Sequence, residues 1–225
     1  MKNETRVAIA IPAYQAASSI GDVVRRSLAV LPSVLVIDDG STDGTGDAAR
    51  TAGAEVRRHE RNRGKGAGLQ TAFEILLERE YDGVVTLDAD GQHLPGEVHN
   101  LLAAAEDGAD MVLGTRAHLF DEMGTLRRIS NRTSSCLISF LAGAELDDIQ
   151  TGFRYYSRRL LEEVNLFERG FDAESAVIVR AARQGFRIES VPVRMGFTDG
   201  RETSHYHGVS DSFRIARSVL RARFS

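Results

Sequence analysis

Two carboxylates placed two positions apart, Asp88 and Asp90, are the side chains of this chain best suited to chemistry. They follow a short apolar run at residues 84–87, and Gln92 comes soon after them. Residues i and i+2 of an extended strand point to the same side, so both carboxylates are expected to face one pocket. Carboxylate and amide oxygens are the ligands that hard divalent cations prefer. The spacing therefore predicts that Asp88, Asp90 and Gln92 bind Mg²⁺ or Mn²⁺, which would be shared with phosphate oxygens of a substrate.

The same stretch, residues 88–91, has a plainer interpretation as a turn. Aspartate and glycine are frequent in turns that end a strand, where the carboxylate accepts hydrogen bonds from nearby backbone amides. Taken alone, these residues leave both interpretations open, a metal site and a structural turn.

A second acidic motif stands at residues 38–45, directly after the apolar run at residues 34–37. Its serine, its threonines and its third aspartate are residue types that cap helices, which would make the motif a well-capped turn. Capping does not explain why two adjacent acids, Asp38 and Asp39, stand where a strand ends. Carboxylates at that place could accept hydrogen bonds from a nucleotide base or a ribose hydroxyl.

A third motif, at residues 61–68, combines glycines with cations where a helix is expected to begin. Free backbone N–H groups and the helix dipole attract anions to such a helix start. The motif is not a Walker P-loop, because no glycine precedes Gly64 at the required spacing and no serine or threonine follows Lys65. It predicts a phosphate site that includes Lys65.

An alternation of strands and helices must position these motifs. The predicted strands are residues 7–11 (broken at Pro12), 34–37, 55–59, 84–87, 111–114 and 188–193. The predicted helices are residues 20–31 (capped by Ser18 and Ser19), 45–52, 65–80, 95–106, 126–141, 174–184 and 211–224. Residues 147–154 are predicted to form a turn. This alternation favours one α/β domain with a mostly parallel central sheet flanked by helices and joined by right-handed crossovers.

Composition narrows the function classes. The formal charge of −4 over 225 residues gives no overall attraction for nucleic acid, so no nucleic-acid partner is expected. The single cysteine, Cys136, excludes an internal disulfide and is expected to be a buried thiol. The N-terminus has no apolar signal core, and no window approaches the roughly 18 apolar residues of a membrane span. We therefore expect a cytoplasmic protein.

Five motifs in this order resemble those of the family 2 inverting glycosyltransferases, and most resemble the dolichyl- or polyprenyl-phosphate hexose synthases. They are IPAY at 11–14, DDGSTDGT at 38–45, NRGKG at 62–66, DADGQ at 88–92 and DIQTGFR at 148–154. The resemblance covers roughly residues 5–205. It implies the Rossmann-like GT-A fold, with nucleotide sugar and metal bound by about residues 1–115 and the acceptor bound by about residues 116–225.

The resemblance also implies roles for individual residues. The nucleotide site would include Pro12, Ala13, Tyr14, Asp38 and Asp39, with Lys65 nearby, and the metal ligands would be Asp88, Asp90 and Gln92. The catalytic residues would be Asp90 and three arginines that bind phosphate, Arg116, Arg127 and Arg128, next to Asn131. Further substrate contacts would come from Asp148, Arg154, Arg201 and Ser204. Two departures stand out. Gln15 and Ala16 replace the usual Asn-Glu pair, which removes one polar contact to the nucleotide, and His205 replaces the lysine that usually follows Ser204, which gives only a partly charged side chain near neutral pH.

The implied reaction moves a hexose from a GDP- or UDP-hexose to a polyprenyl phosphate, with inversion at the anomeric carbon. A phosphate acceptor is already anionic, so it needs positioning more than a general base. Two alternatives stay open: a family 2 transferase that extends a saccharide in cell-surface polysaccharide synthesis, and a nucleotide-sugar-binding protein without turnover. A saccharide acceptor would need a carboxylate base, for which the second half offers Asp148, Asp172 and Glu174. Asp172 and Glu174 are expected instead to support the helix that they begin.

The last predicted helix, residues 211–224, is basic and amphipathic. Such a helix suits the surface of a membrane with anionic lipids, although packing on the core or on a second copy explains its apolar face equally well. A peripheral contact with the inner face of the membrane is therefore an additional expectation.

Overall fold

Strand residues that alternate between two apolar cores define the architecture. The computed structural model describes residues 5–115, 151–164, 170 and 172–196. In the first strand, Ala8 and Ala10 belong to one buried cluster, while Ile9 and Ile11 belong to another on the opposite face. Because helices cover both faces, the strands read as continuous apolar runs, as is typical of parallel sheets.

The described part of the chain contains seven strands and six α-helices. They are β1 (Val7–Ala13), α1 (Ile20–Leu28), β2 (Val34–Asp38), α2 (Thr45–Thr51), β3 (Glu55–Arg58), α3 (Lys65–Glu78), β4 (Gly83–Thr86), a 3₁₀ turn (Pro95–Glu97) that leads into α4 (Val98–Glu106), β5 (Met111–Thr115), β6 (Arg154–Ser157), α5 (Arg158–Glu163), α6 (Asp172–Arg183) and β7 (Ile188–Pro192). None of the described helices is long and apolar enough to cross a membrane.

The strands lie in the order β3-β2-β1-β4-β6-β5-β7. The pairs β1–β2, β1–β4, β2–β3 and β5–β7 are parallel, and β6 runs antiparallel to both β4 and β5. The predicted fold class, a mostly parallel α/β sheet flanked by helices, is therefore confirmed. Since β6 runs the opposite way, the residues just before it lie at the same edge as the carboxyl ends of the parallel strands.

The predicted break at Pro12 is wrong, because β1 continues through Pro12 to Ala13. The backbone of Ala10 accepts a hydrogen bond from Leu87 of the β4 side, and Pro12, two residues further on, faces that same side. The β1–β4 ladder ends at the pair Ala10–Thr86. The missing N–H of Pro12 therefore costs no ladder hydrogen bond, while pairing with β2 continues to Asp38.

Two other parts of the sequence prediction differ from the local structure, and a third is not tested. Strand β6 was not predicted, because the sequence analysis placed a turn at residues 147–154 and no helix or strand directly after it. Ser19 precedes α1, but its hydroxyl donates to the carbonyls of Ala16 and Ala89 instead of capping the helix, which ends at Leu28. The helices predicted at 126–141 and 211–224, and Cys136, lie outside the described residues.

Gly83 in β4 should not tolerate a side chain. A Cβ at this position would lie 2.5 Å from a ring carbon of buried Tyr155 and 2.7 Å from its hydroxyl. We expect Gly83→Ala to lower the free energy of unfolding by about 1–3 kcal/mol, because the ring has to move within a packed core. Gly96→Ala, whose Cβ would meet nothing within 4 Å, is the matched control. Chemical denaturation measures both, and equal stability of the two variants would contradict the packing described here.

Candidate active site

A cleft of about 280 Å³ opens at the carboxyl ends of β1, β2 and β4. Strand order reverses between β1 and β4, and ligands of open α/β sheets bind at such a switch point. The cleft brings together most of the residues that the sequence assigned to donor and metal. Its walls are formed by Pro12, Ala13, Tyr14, Gln15, Ala16, Ser18, Ser19, Asp39, Asn62, Gly64, Lys65, Gly68, Asp88, Ala89 and Asp90.

The two carboxylates at the end of β4 do line one cleft, but not because of strand periodicity. Strand β4 ends at Thr86, so Asp88 and Asp90 lie in the loop beyond it. Asp90 Oδ1 accepts a hydrogen bond from the Gln92 amide at 2.9 Å, and Gly91 turns the chain with φ at +80°. The hydrogen bond of the plainer interpretation is therefore present, and the turn itself is what directs both acids into the cleft.

Lys65 forms ion pairs both with the loop after β4 that carries Asp88 and with the second half of the fold. Its Nζ lies 2.7 Å from Asp88 Oδ1 and 2.8 Å from Glu174 Oε2. Burial by itself would lower the pKa of Lys65, but the two carboxylates outweigh it and hold that pKa above its usual value. Lys65 is therefore a permanent positive charge at the first position of α3, in contact with one predicted metal ligand.

Gly152 is required by the position of Asp88. A Cβ on Gly152 would lie 2.6 Å from both carboxylate oxygens of Asp88, and the Gly152 carbonyl accepts a hydrogen bond from Thr86 Oγ1 at 2.8 Å. Only a residue without a side chain fits between strand β4 and this carboxylate. The close approach of Asp88 thus explains why a glycine stands at this position of the motif at residues 148–154.

His93 supports the same loop from inside the fold. It is buried, its Nδ1 accepts a hydrogen bond from the Asp88 amide at 3.1 Å, and its ring stacks on Phe153 with centroids 5.4 Å apart. A nitrogen that accepts from a backbone N–H is not available to a metal ion. His93 therefore borders the site and fixes the backbone of Asp88.

The two acids of the second motif have different positions. Asp38 is 1% exposed, accepts the Ser41 amide at 2.9 Å and is not part of the cleft wall. The structure thus gives it a role in holding the turn, and its contact with the nucleotide stays a prediction. Asp39 does line the cleft. Its carboxylate accepts the backbone amides of Arg63 and Gly64 and lies 2.6 Å from His59 Nδ1. Asp39 thus fixes the loop that leads into Lys65.

The loop after β1 is braced on the second motif. The Gln15 amide donates to Ser41 Oγ, and the Thr42 amide donates to Gln15 Oε1 at 2.9 Å. The Asp43 carboxylate accepts the backbone amides of Thr45 and Ala17, both at 3.0 Å. The hydroxyls and carboxylates of the second motif therefore connect two loops, and they also lie at the start of α2. The side chain of Gln15 takes part in these hydrogen bonds between the loops.

Arg154 was predicted to contact substrate, but the structure places it beneath the site. It is completely buried, with Nε donating to the Thr151 carbonyl at 2.7 Å and Nη1 donating to the Glu174 carbonyl at 2.6 Å. Arg154 therefore holds the first turn of α6 against the loop before β6. Glu174, which sequence reasoning treated as helix support, has its carboxylate on Lys65 instead; no local pattern signals this contact, because the two residues are far apart in the chain.

Several predicted site residues cannot be placed on this cleft. Outside the described residues lie Arg116, Arg127, Arg128, Asn131, Asp148, Arg201, Ser204 and His205. Their roles stay predictions. The same holds for the side-chain oxygen of Gln92, whose backbone carbonyl accepts the Gly196 amide.

The oxygen atoms of this site suit a hard divalent cation that takes its remaining ligands from a bound substrate. Among the described residues, no three His, Cys, Asp or Glu side chains form a ready-made metal cage. Mg²⁺ in phosphate-transferring sites is commonly bound by one or two carboxylates, with water and substrate phosphate as the other ligands. Asp88 and Asp90 facing one cleft match that pattern, and Lys65 adds a further positive charge for a phosphate.

The fold is that of solved GT-A glycosyltransferases. Glucosyl-3-phosphoglycerate synthase from Mycobacterium tuberculosis, solved in complex with Mn²⁺, UDP and phosphoglyceric acid, superposes with a TM-score of 0.74 over 98% of this chain and 79% of that one, at 20% identity. Mannosyl-3-phosphoglycerate synthase from Rubrobacter xylanophilus gives a TM-score of 0.74 over 97% of this chain and 72% of that one, also at 20% identity. At this identity the likeness establishes the fold.

Sequence comparison then identifies the family. Residues 8–165 match the model of glycosyl transferase family 2, and the chain belongs to that family. A polyprenol monophosphomannose synthase from Mycolicibacterium smegmatis is 35% identical over 205 residues, which are 84% of this chain and 76% of that protein. An undecaprenyl-phosphate mannosyltransferase from Micrococcus luteus is 34% identical over 201 residues, 84% of this chain and 82% of that protein.

Gly152→Ala should displace Asp88 without unfolding the protein. The new methyl group would overlap both oxygens of Asp88, which must rotate away from the cleft or push the loop outward. We expect Mn²⁺-dependent nucleotide binding to weaken by at least about tenfold, because a ligand has lost its position. Titration calorimetry measures the affinity and circular dichroism the fold. Wild-type affinity in a folded Gly152→Ala protein would contradict the assigned role of Asp88.

Proposed function

We propose that this glycosyltransferase moves a hexose from a nucleoside-diphosphate sugar to a polyprenyl phosphate, with inversion at the anomeric carbon. The observation that carries the proposal is the acid pair Asp88 and Asp90 facing one cleft with the Lys65 ammonium. The relatives named as polyprenol- and undecaprenyl-phosphate mannosyltransferases support the choice of acceptor and of mannose as the first hexose to test.

The donor binds along the cleft, with the nucleoside beside Tyr14, Asp39 and Asn62 and the diphosphate beside Lys65 and the acid pair. Tyr14 is 40% exposed, which suits a ring that packs on a nucleobase. Asp88 and Asp90, with Gln92 as a further ligand, would hold a divalent cation, which would supply positive charge to stabilise the departing diphosphate. Lys65 adds a fixed charge to the same group and stays protonated at every physiological pH.

The acceptor approaches from the side of the second half of the chain. A phosphate oxygen is already anionic, so the chain has only to hold it in line with the anomeric carbon, which is the role we assign to Arg116, Arg127 and Arg128. A saccharide acceptor would instead need a carboxylate base. Of the three acids considered for that task, Glu174 is the one whose side chain is described, and it is ion-paired with Lys65 outside the cleft wall. This favours the phosphate acceptor.

A polyprenyl chain resides in the membrane, so the enzyme has to reach the membrane surface to meet it. The basic segment at residues 211–224 provides charge for anionic lipids. We therefore propose a peripheral contact with the inner face of the membrane.

Transfer into lipid tests the reaction directly. The full chain is incubated with radiolabelled GDP-mannose or UDP-glucose, a polyprenyl phosphate and Mn²⁺, and the organic phase is counted. We expect label in the organic phase with one donor, and none when the metal is chelated. Label transferred to an oligosaccharide without lipid would contradict the acceptor assignment. Metal-dependent donor binding without any transfer would indicate a binding protein.

Asp90→Asn removes one charge of the acid pair while keeping its shape. We expect kcat/KM to fall by at least about 100-fold, because charge on the leaving diphosphate is less well stabilised. Asp47→Asn is the matched control, since Asp47 is an exposed acid on α2 whose carboxylate pairs with Arg50 at 2.9 Å. An Asp90→Asn enzyme with wild-type kcat/KM and unchanged Mn²⁺ dependence would exclude Asp90 from the site.

A further inference from the structure

Glu174 is a buried carboxylate that the proposed reaction does not use directly. It lies in the first turn of α6, is 6% exposed and is not part of the cleft wall. Its Oε2 contacts the Lys65 ammonium at 2.8 Å. Its Oε1 is buried, and no described residue gives it a hydrogen bond. A buried carboxylate is costly unless its charge is compensated, and the Lys65 ammonium supplies that compensation.

Lys65 is shared between two carboxylates of different kinds. Asp88 faces the cleft and belongs to the predicted cation site, while Glu174 lies behind the ammonium. A divalent cation bound to Asp88 would interact with the same negative charge that compensates the Lys65 ammonium. Without a second counter-ion, the ammonium and the incoming cation would compete for Asp88 and repel each other.

The position of Glu174 is fixed independently of Lys65. The guanidinium of Arg154 donates to the Glu174 carbonyl at 2.6 Å and to the Thr151 carbonyl at 2.7 Å. The same loop carries Gly152, against which the Asp88 carboxylate lies. One buried arginine therefore connects the loop that borders Asp88 to the helix that carries Glu174.

We infer that Glu174 is a positioning residue that acts as the standing counter-ion of Lys65, and so leaves Asp88 able to bind the divalent cation. The inference rests on the proposed metal and diphosphate site and adds to it a residue outside the cleft. With Glu174 in place, the ammonium remains compensated when Asp88 binds the ion. Without Glu174, the ammonium loses this counter-ion and competes more strongly for Asp88, so the cation binds more weakly.

The counter-ion role predicts opposite effects for the two partners of the ion pair. Glu174→Gln keeps the size of the side chain and removes its charge, so Mn²⁺ affinity should fall by about tenfold, as for other groups that support metal ligands. Lys65→Met removes the competing ammonium, so binding of Mn²⁺ alone should be at least as tight as in the wild type. In the double variant the effect of Glu174→Gln should largely disappear, because the charge that it compensates is gone.

The experiment measures Mn²⁺ binding to the full chain by the loss of the free-ion electron paramagnetic resonance signal, with and without GDP or UDP. Glu163→Gln, an exposed acid on α5, is the control and should bind as the wild type does. Wild-type affinity in Glu174→Gln would overturn the inference. A tenfold loss that persists in the Lys65→Met background would also overturn it, since Glu174 would then act without Lys65.

A second variant keeps the test decisive if Glu174→Gln does not fold. Glu174→Asp retains the charge but withdraws it from Lys65 by one methylene, and a weaker Mn²⁺ affinity than the wild type is expected. Unchanged affinity would overturn the inference. Failure of the proposed function looks different, because the wild type itself would then bind no Mn²⁺ in the presence of either nucleotide.

Discussion

The site depends on one ammonium held between two carboxylates. Lys65, at the start of α3, contacts Asp88 beyond β4 and Glu174 in α6. Three elements from separate parts of the chain are thereby fixed around a single charge. Bringing two negative groups together in a half-buried place is unfavourable in itself, and the cation between them makes the arrangement stable. The cleft can then present Asp88 to a ligand without leaving a buried charge uncompensated.

The sheet makes this arrangement possible by mixing two strand directions. The parallel strands β1, β2 and β4 deliver their carboxyl ends to one edge, where the acidic and glycine-rich loops follow. Strand β6 runs the other way, so the residues before it reach that same edge from the second half of the chain. Gly152 then lies against Asp88, and Arg154 turns inward to hold α6. An antiparallel strand in the middle of the sheet thus joins the donor side of the fold to Glu174.

Sequence reasoning succeeded where the information is local. Apolar runs and helix-starting motifs gave the strands and helices of residues 5–115 to within a few residues, and the motif order gave the family. It failed where a residue is decided by distant partners. Arg154 was predicted to contact substrate, but it is completely buried and donates to the backbone carbonyls of Thr151 and Glu174. The role of Glu174 depends on Lys65, more than a hundred positions earlier in the numbering, and no spacing rule reaches that far.

The central claim is that the diphosphate of a sugar donor and a divalent cation meet at Asp88 and Asp90. Anomalous diffraction at the manganese edge, from crystals of the protein grown with Mn²⁺ and a nucleoside diphosphate, tests it most directly. We expect one strong peak within about 2.0–2.3 Å of carboxylate oxygens of the acid pair and of the diphosphate, which is the range for small hard cations. A peak elsewhere, with the diphosphate bound away from Lys65 and these two acids, would contradict the account.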